Sequence, residues 1–149
     1  MNEVTIRKAA MSDAASVGEL NATLGYPFST EVMTERLARV LARDAHVVFV
    51  AEISGAVVGW IESGEQEILA VGRMGEILGL VVADNARNRG VGRQLVEAVE
   101  DWALARGLSA LTVRSNIIRP ESHAFYERIG FTRFKTQHAY RKRIASPDH

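Results

Sequence analysis

The stretch EILGLVVADNARNRGVGRQLVEAVEDWAL, residues 76–104, constrains this chain more than any other. An apolar run dense enough for a buried strand passes through a glycine- and arginine-rich loop into an amphipathic run. There Leu95, Ala98, Val99 and Trp102 share one helical face, which makes Trp102 a core residue. A strand that feeds a helix through Arg87-x-x-Gly90-x-Gly92 leaves N–H groups unpaired at the helix entrance. Glycines let that backbone approach an anion closely, and the helix dipole favours negative charge there. Arg87, Arg89 and Arg93 add positive charge; the bland alternative is a tight turn with solvated arginines. The loop fails the dinucleotide fingerprint, because Leu95 stands where a third glycine belongs. It also fails the Walker pattern, because no Lys-Ser or Lys-Thr pair follows Gly92. Another pyrophosphate ligand is required.

The rest of the chain frames that unit. EVTIRKA alternates as a half-buried strand, and Ser12 and Asp13 stand where a helix over 13–24 would be capped. Ser29 or Thr30 can cap a second helix, with Met33, Leu37, Val40 and Leu41 as its apolar stripe. HVVFVAEI and AVVGWIES flank Ser54-Gly55, which predicts a hairpin. EQEILAVGRMG reads equally as a strand end or a loop. ALTVR is a further strand, Pro120 opens a short helix that stops at Gly130, and FTRFKTQHAYRKRI supplies one or two strands. This order predicts one α/β domain, 1–149, with a mixed sheet, helices on both faces and a frayed tail at 145–149.

Composition excludes several classes. Zero net charge provides no global field for nucleic acid or an anionic membrane. Zero cysteines exclude disulfides and a thiolate nucleophile, and the four scattered histidines lack metal-ligand spacing. No apolar run approaches the roughly 18–20 residues of a membrane helix. MNEVTIRKAA lacks a signal-peptide core, so a cytoplasmic setting is expected.

Residues 76–131 resemble the GNAT superfamily of acyl-coenzyme A-dependent N-acetyltransferases. The family signature Q/R-x-x-G-x-G/A stands here as Arg87-Asn88-Arg89-Gly90-Val91-Gly92, and AFYERIGF at 124–131 is similar to its second block. The resemblance implies a mostly antiparallel sheet of six to seven strands flanked by four helices, splayed between the fourth and fifth strands. It implies acetyl-CoA as cosubstrate, no metal, the pyrophosphate on residues 87–93, and pantetheine along the backbone of Leu80, Val81 and Val82. The family base, where present, stands eleven positions before the signature arginine, at Glu76; the tyrosine that protonates the departing thiolate is Tyr126. Where many members carry a cofactor-binding asparagine this chain has Arg119, and Asn116 is the nearest asparagine. Either can contact the cofactor.

Transfer of acetyl from a thioester to an amine requires removal of an amine proton, donors to the oxyanion and a proton for the thiolate. Glu76 or Glu62 can serve as base; backbone N–H groups near Leu80–Val82 and the Tyr126 hydroxyl meet the other needs. Each residue has a plainer reading: Glu76 as a hydrated strand-end carboxylate, Tyr126 as a packed aromatic, His123 as a surface residue. For the acceptor, Glu62, Glu65, Glu67 and Glu76 outnumber Arg73 over 62–76 and would attract a cationic amine. Tyr26 and Phe28 fall where the family often lines the acceptor side. The basic 119–143 segment is better read as a solvated strand surface or help for the cofactor 3′-phosphate than as a nucleic-acid face. The expected activity is acetyl transfer to a small or peptidic primary amine, with no nucleic acid or membrane partner and with a homodimer left open. A non-catalytic acyl-CoA sensor of the same fold is the alternative.

Overall fold

The computed structural model describes residues 3–26, 29–115 and 120–146. They group into two compact units, Met1–Arg114 and Ser115–His149. The first holds strands β1 (Val4–Lys8), β2 (His46–Ile53), β3 (Ala56–Ile68), β4 (Gly72–Val82) and β5 (Leu111–Val113) in one sheet of that order. All neighbours are antiparallel except β4 and β5, which are parallel. The β2–β3 hairpin turns at Ser54 and Gly55, whose φ values of 52° and 80° suit a two-residue turn with both central residues left-handed. The ambiguous EQEILAVGRMG is a second hairpin, closed through exposed Leu69 and Val71 before Gly72 at φ 85°.

Among the described residues five strands form the sheet, against the six to seven expected. Residues 132–146 form no strand and are exposed throughout. Strand propensity is realised where a half-buried pleated surface receives the side chains. Arg133, Lys135, Arg141, Lys142 and Arg143 keep this segment in water instead.

Helices α1 (Ala14–Ala22) and α2 (Thr30–Leu41) cover one face of the sheet. Val17, Leu20, Met33 and Leu37 pack there with Val48, Val50, Trp60 and Val81. Leu41, expected in the same stripe, is exposed at the helix end. The Ser29 hydroxyl caps α2, accepting the Val32 amide at 3.1 Å. No side chain caps α1. Asp13 instead accepts both guanidinium nitrogens of Arg7 at 2.8 Å and the Ala10 amide at 2.7 Å, while Arg7 also reaches Glu52 at 2.6 Å.

Those bonds to Arg7 hold the Asp13 carboxyl below the usual carboxylate range, although burial opposes the shift. Its contribution to stability is therefore present above the unfolded-state pKa and is lost as pH falls through the depressed folded value. Asp13→Ala should cost about 2 kcal/mol, less than a fully buried pair because Arg7 is 35% exposed. In a thermal melt that is a fall of about 4–8 °C. A loss below about 1 °C would mean that solvent replaces these bonds without penalty.

Helix α3 (Val91–Ala105) packs on the opposite face. Its first turns sit over Gly59, where a Cβ would stand 3.2 Å from Val91 and 3.3 Å from Leu95. Only a bare backbone admits the helix this close. Trp102 is half-buried rather than core, with the Arg106 guanidinium 5.3 Å from its ring centroid. Arg106 also donates to Glu65 at 2.9 Å and to the Asp44 carbonyl at 3.1 Å, fastening the end of α3 to the sheet and to the turn before β2.

Candidate active site

The loop from β4 to α3 turns through Asn88 at φ 65° and Gly90 at φ 76°, both left-handed. Gly90 occupies the N-cap position, and no side chain caps α3. Its first-turn amides thus remain available to an anion. A Cβ at Gly90 would meet only Gln94 Nε2, at 4.0 Å, so the approach is open. Arg87, Asn88, Arg89 and Arg93 are exposed around it. Arg87 lies 3.2 Å from Asp84 and Arg93 3.9 Å from Glu97, surface pairs that screening keeps weak. Val91 turns its side chain into the core. With Gly92 it offers only backbone to a ligand. This open, cationic, uncapped helix entrance fits a pyrophosphate.

Strand β4 changes partners along its length. It pairs with β5 only at Gly75, Glu76 and Ile77, then runs on to Val82 without a β5 partner among the described residues. On its other side Glu62 faces Gly79 while Ser63 faces Ile77, which leaves Leu78 bulged out and exposed. A bulge ends regular pairing and re-aims neighbouring groups. Val81 is core and Leu80 and Val82 are half-buried, so a ligand along this edge meets mainly backbone.

Glu76 stands beside the point where β4 and β5 part. It is 7% exposed, its carbonyl accepts the Ser63 hydroxyl at 2.7 Å, and its carboxylate lies 3.4 Å from Arg114. Register places Glu76 across from Gly64, and Gly64 across from His46, on the face covered by α1 and α2. The imidazole of His46 lies over Gly64, with its Nδ1 3.5 Å from the Glu62 carboxylate. His46, Glu62 and Glu76 thus form a row that sequence reading completed only in part. The missed signal was alternation: His46 opens the strand whose Val48 and Val50 point to the same face.

The acidic surplus over 62–76 is largely compensated in place. Glu65 accepts from Arg73 at 2.7 Å and from Arg106 at 2.9 Å, which pushes its pKa down to about 2. Between α1, α2 and the sheet opens a cavity of about 480 Å³ with Trp60 and Glu62 in its wall and Arg36, Arg39 and Arg43 along α2. Trp60 rests on Gly79, where a Cβ would come within 2.9 Å of the indole. Tyr26 is exposed and is not part of this wall; Phe28, Asn116 and Arg119 lie outside the described residues.

In the second unit, Tyr126 lies on α4 (Pro120–Arg128), its ring 5.2 Å from Phe125 and 5.6 Å from Phe131. Burial pushes its hydroxyl pKa up, so it stays protonated at neutral pH. Gly130, at φ 103°, ends that helical segment.

The sequence profile of the Acetyltransferase (GNAT) family matches residues 15–131. This chain belongs to the GNAT acetyltransferase family. It is 35% identical over 136 residues to the IAA acetyltransferase of Azospirillum brasilense, covering 88% of this chain and 86% of that one. Among solved GNAT structures, the aminoglycoside N-acetyltransferase AAC(6')-Iy in complex with CoA superposes with a TM-score of 0.87. It is 20% identical and covers 96% of this chain and 97% of its own. Glucosamine-6-phosphate N-acetyltransferase from Arabidopsis thaliana gives 0.82 at 23% identity, covering 93% and 99%. As a GNAT enzyme the protein is an acyltransferase. Among the described residues no group of three His, Asp or Glu could hold a metal ion, and no helix is long and apolar enough to cross a membrane.

Proposed function

We propose that this GNAT enzyme transfers an acetyl group from acetyl-CoA to a primary amine by direct attack in a ternary complex. The observation that carries the reading is the course of β4. Its edge beyond Ile77, without a β5 partner among the described residues, leads through the 83–90 loop to the uncapped entrance of α3, with the Glu76 carboxylate where the two strands part.

The first-turn amides of α3 from Val91 to Arg93, with Arg87, Asn88, Arg89 and Gly90, would hold the pyrophosphate. Pantetheine would follow the backbone of Leu80, Val81 and Val82, and Asn116 or Arg119 would add a further contact. When bound, acetyl-CoA supplies an activated acetyl group as a thioester. Alternate backbone groups of β4 on its unpaired side provide donors to the developing oxyanion. Glu76 would take a proton from the acceptor's ammonium, directly or through one water, and so free the lone pair that attacks, with Glu62 as the competing base. As the amine nitrogen bonds to the acetyl carbon and the C–S bond breaks, the Tyr126 hydroxyl would donate its proton to the departing sulfur, and the second proton that the nitrogen gives up would pass to the tyrosinate or to water. No enzyme nucleophile is needed, in keeping with a chain that has no cysteine.

An amine panel assayed by thiol release from acetyl-CoA tests the reading. Turnover with at least one primary amine is expected. Stabilisation by acetyl-CoA with no thiol release from any amine would make the protein a sensor instead. Tyr126→Phe keeps the ring and its edge contacts to Phe125 and Phe131 but removes the proton donor. It should lower kcat about 10-fold or more at little change in acetyl-CoA affinity, the pattern of a contact made in the transition state. An unchanged kcat would leave the tyrosine a packing residue.

A further inference from the structure

The acidic run over 62–76 suggests a cationic amine as acceptor, but the folded chain distributes its charge differently. Glu65 is engaged by Arg73 and Arg106, and Glu76 faces Arg114. Two of the arginines at the cavity, Arg39 and Arg43, are not compensated in the same way. Arg36, Arg39 and Arg43 fall at i, i+3 and i+7, so they make one stripe along α2 and its C-terminal turn, and all three line the cavity. None of the ion pairs among the described residues uses Arg39 or Arg43. The α2 C-terminus favours cations, which accounts for one arginine near it but not for three turned towards the same cavity. Among the described residues the opposite wall holds a single carboxylate, Glu62, beside the indole of Trp60.

We infer that the acceptor is an amine that also bears an anionic group, a carboxylate or a phosphate, held by Arg39 and Arg43 while its ammonium end lies at Glu62. The inference rests on the acetyl-transfer reading and names the substrate class of that site. Guanidinium groups pair with planar carboxylates and with phosphates through two parallel hydrogen bonds, so two such residues orient the acceptor as well as attract it. The two ends separate the functions: the arginine lip fixes the anion, and the Glu62–Glu76 side receives the nitrogen. A polyamine or an aminoglycoside would bring its surplus positive charge against the same lip.

The test compares matched amines with acetyl-CoA: free amino acids against their amides, amino-sugar phosphates against the unphosphorylated sugars, and a polyamine. At least one anionic member should exceed its neutral counterpart by about tenfold or more in kcat/KM, and which pair shows the gap separates carboxylate from phosphate. The Arg39→Ala/Arg43→Ala double variant should erase that gap, with the loss falling on the amine KM, and Arg39→Lys/Arg43→Lys should restore part of it. Equal use of neutral amines, or a polyamine as the best substrate, overturns the inference and leaves acetyl transfer standing. So does a matching rise in the acetyl-CoA KM of the double variant, which would assign the arginines to the cofactor. Absence of thiol release with every amine overturns both.

Discussion

Gly90→Glu should abolish the stabilisation of this protein by acetyl-CoA. At ligand concentrations near a hundred times Kd, binding to the folded state contributes about 2.7 kcal/mol, or about 5–10 °C of melting temperature for a chain of this size. The substitution places a carboxylate at the N-cap of α3, in an approach where Gly90 now leaves open space. There it would occupy the first-turn amides and repel a pyrophosphate. Strain enters separately, because φ is 76° at this residue and a side chain in the left-handed region costs roughly 1–2 kcal/mol. Gly90→Ala isolates that part: the unliganded melt falls, but most of the acetyl-CoA shift remains. Neither NAD nor ATP should match acetyl-CoA at equal concentration. Persistence of the full shift in Gly90→Glu, or a larger shift with NAD, would remove the loop from cofactor binding.

Glu76→Gln should lower the plateau of kcat/KM by about 10²-fold or more while folding and acetyl-CoA binding survive. Glutamine fills the same space and can still face Arg114, which now lies 3.4 Å from the carboxylate, but it cannot take a proton. The dependence of kcat/KM on pH should differ between the wild type and the variant. A variant with unchanged profile and rate would transfer the role to Glu62, which shares the face and lines the cavity, or mean that the amine arrives deprotonated. Glu62→Gln measured alongside distinguishes those outcomes.

The parts of this protein that could be read from the sequence are those whose signals are local. Ser54-Gly55 needs two positive φ angles, and residues that tolerate them announce the hairpin. Ser29 and the α2 stripe up to Leu37 behave as their spacing implies. Gly90 marks the helix entrance for the same reason. Elsewhere the decisive partner is distant in sequence. Asp13 looks like a helix cap but is claimed by Arg7 and the Ala10 amide. Leu69 and Val71 are apolar yet lie exposed in a hairpin turn, which left EQEILAVGRMG ambiguous between a strand end and a loop. Residues 132–146 have the composition of strands but remain exposed and unladdered. The glutamates over 62–76 could be counted from the sequence against Arg73, but not the distant Arg106 and Arg114 that meet Glu65 and Glu76. The same holds for Arg36, Arg39 and Arg43, which look like the solvated side of an amphipathic helix until the cavity beside them is seen.

The placement of Trp60 gives the protein an internal optical probe. The chain has two tryptophans: Trp60, buried in the cavity wall against Gly79, and Trp102, half-buried on the opposite side of the sheet. Indole emission moves to shorter wavelength as water is displaced from the ring and is quenched by nearby charged or electron-accepting groups. A molecule entering the cavity changes the surroundings of Trp60 and leaves those of Trp102 as they were. In a Trp102→Phe background, emission would come from the cavity wall alone. Occupancy by an unlabelled acceptor could then be followed by light before any bond is made or broken.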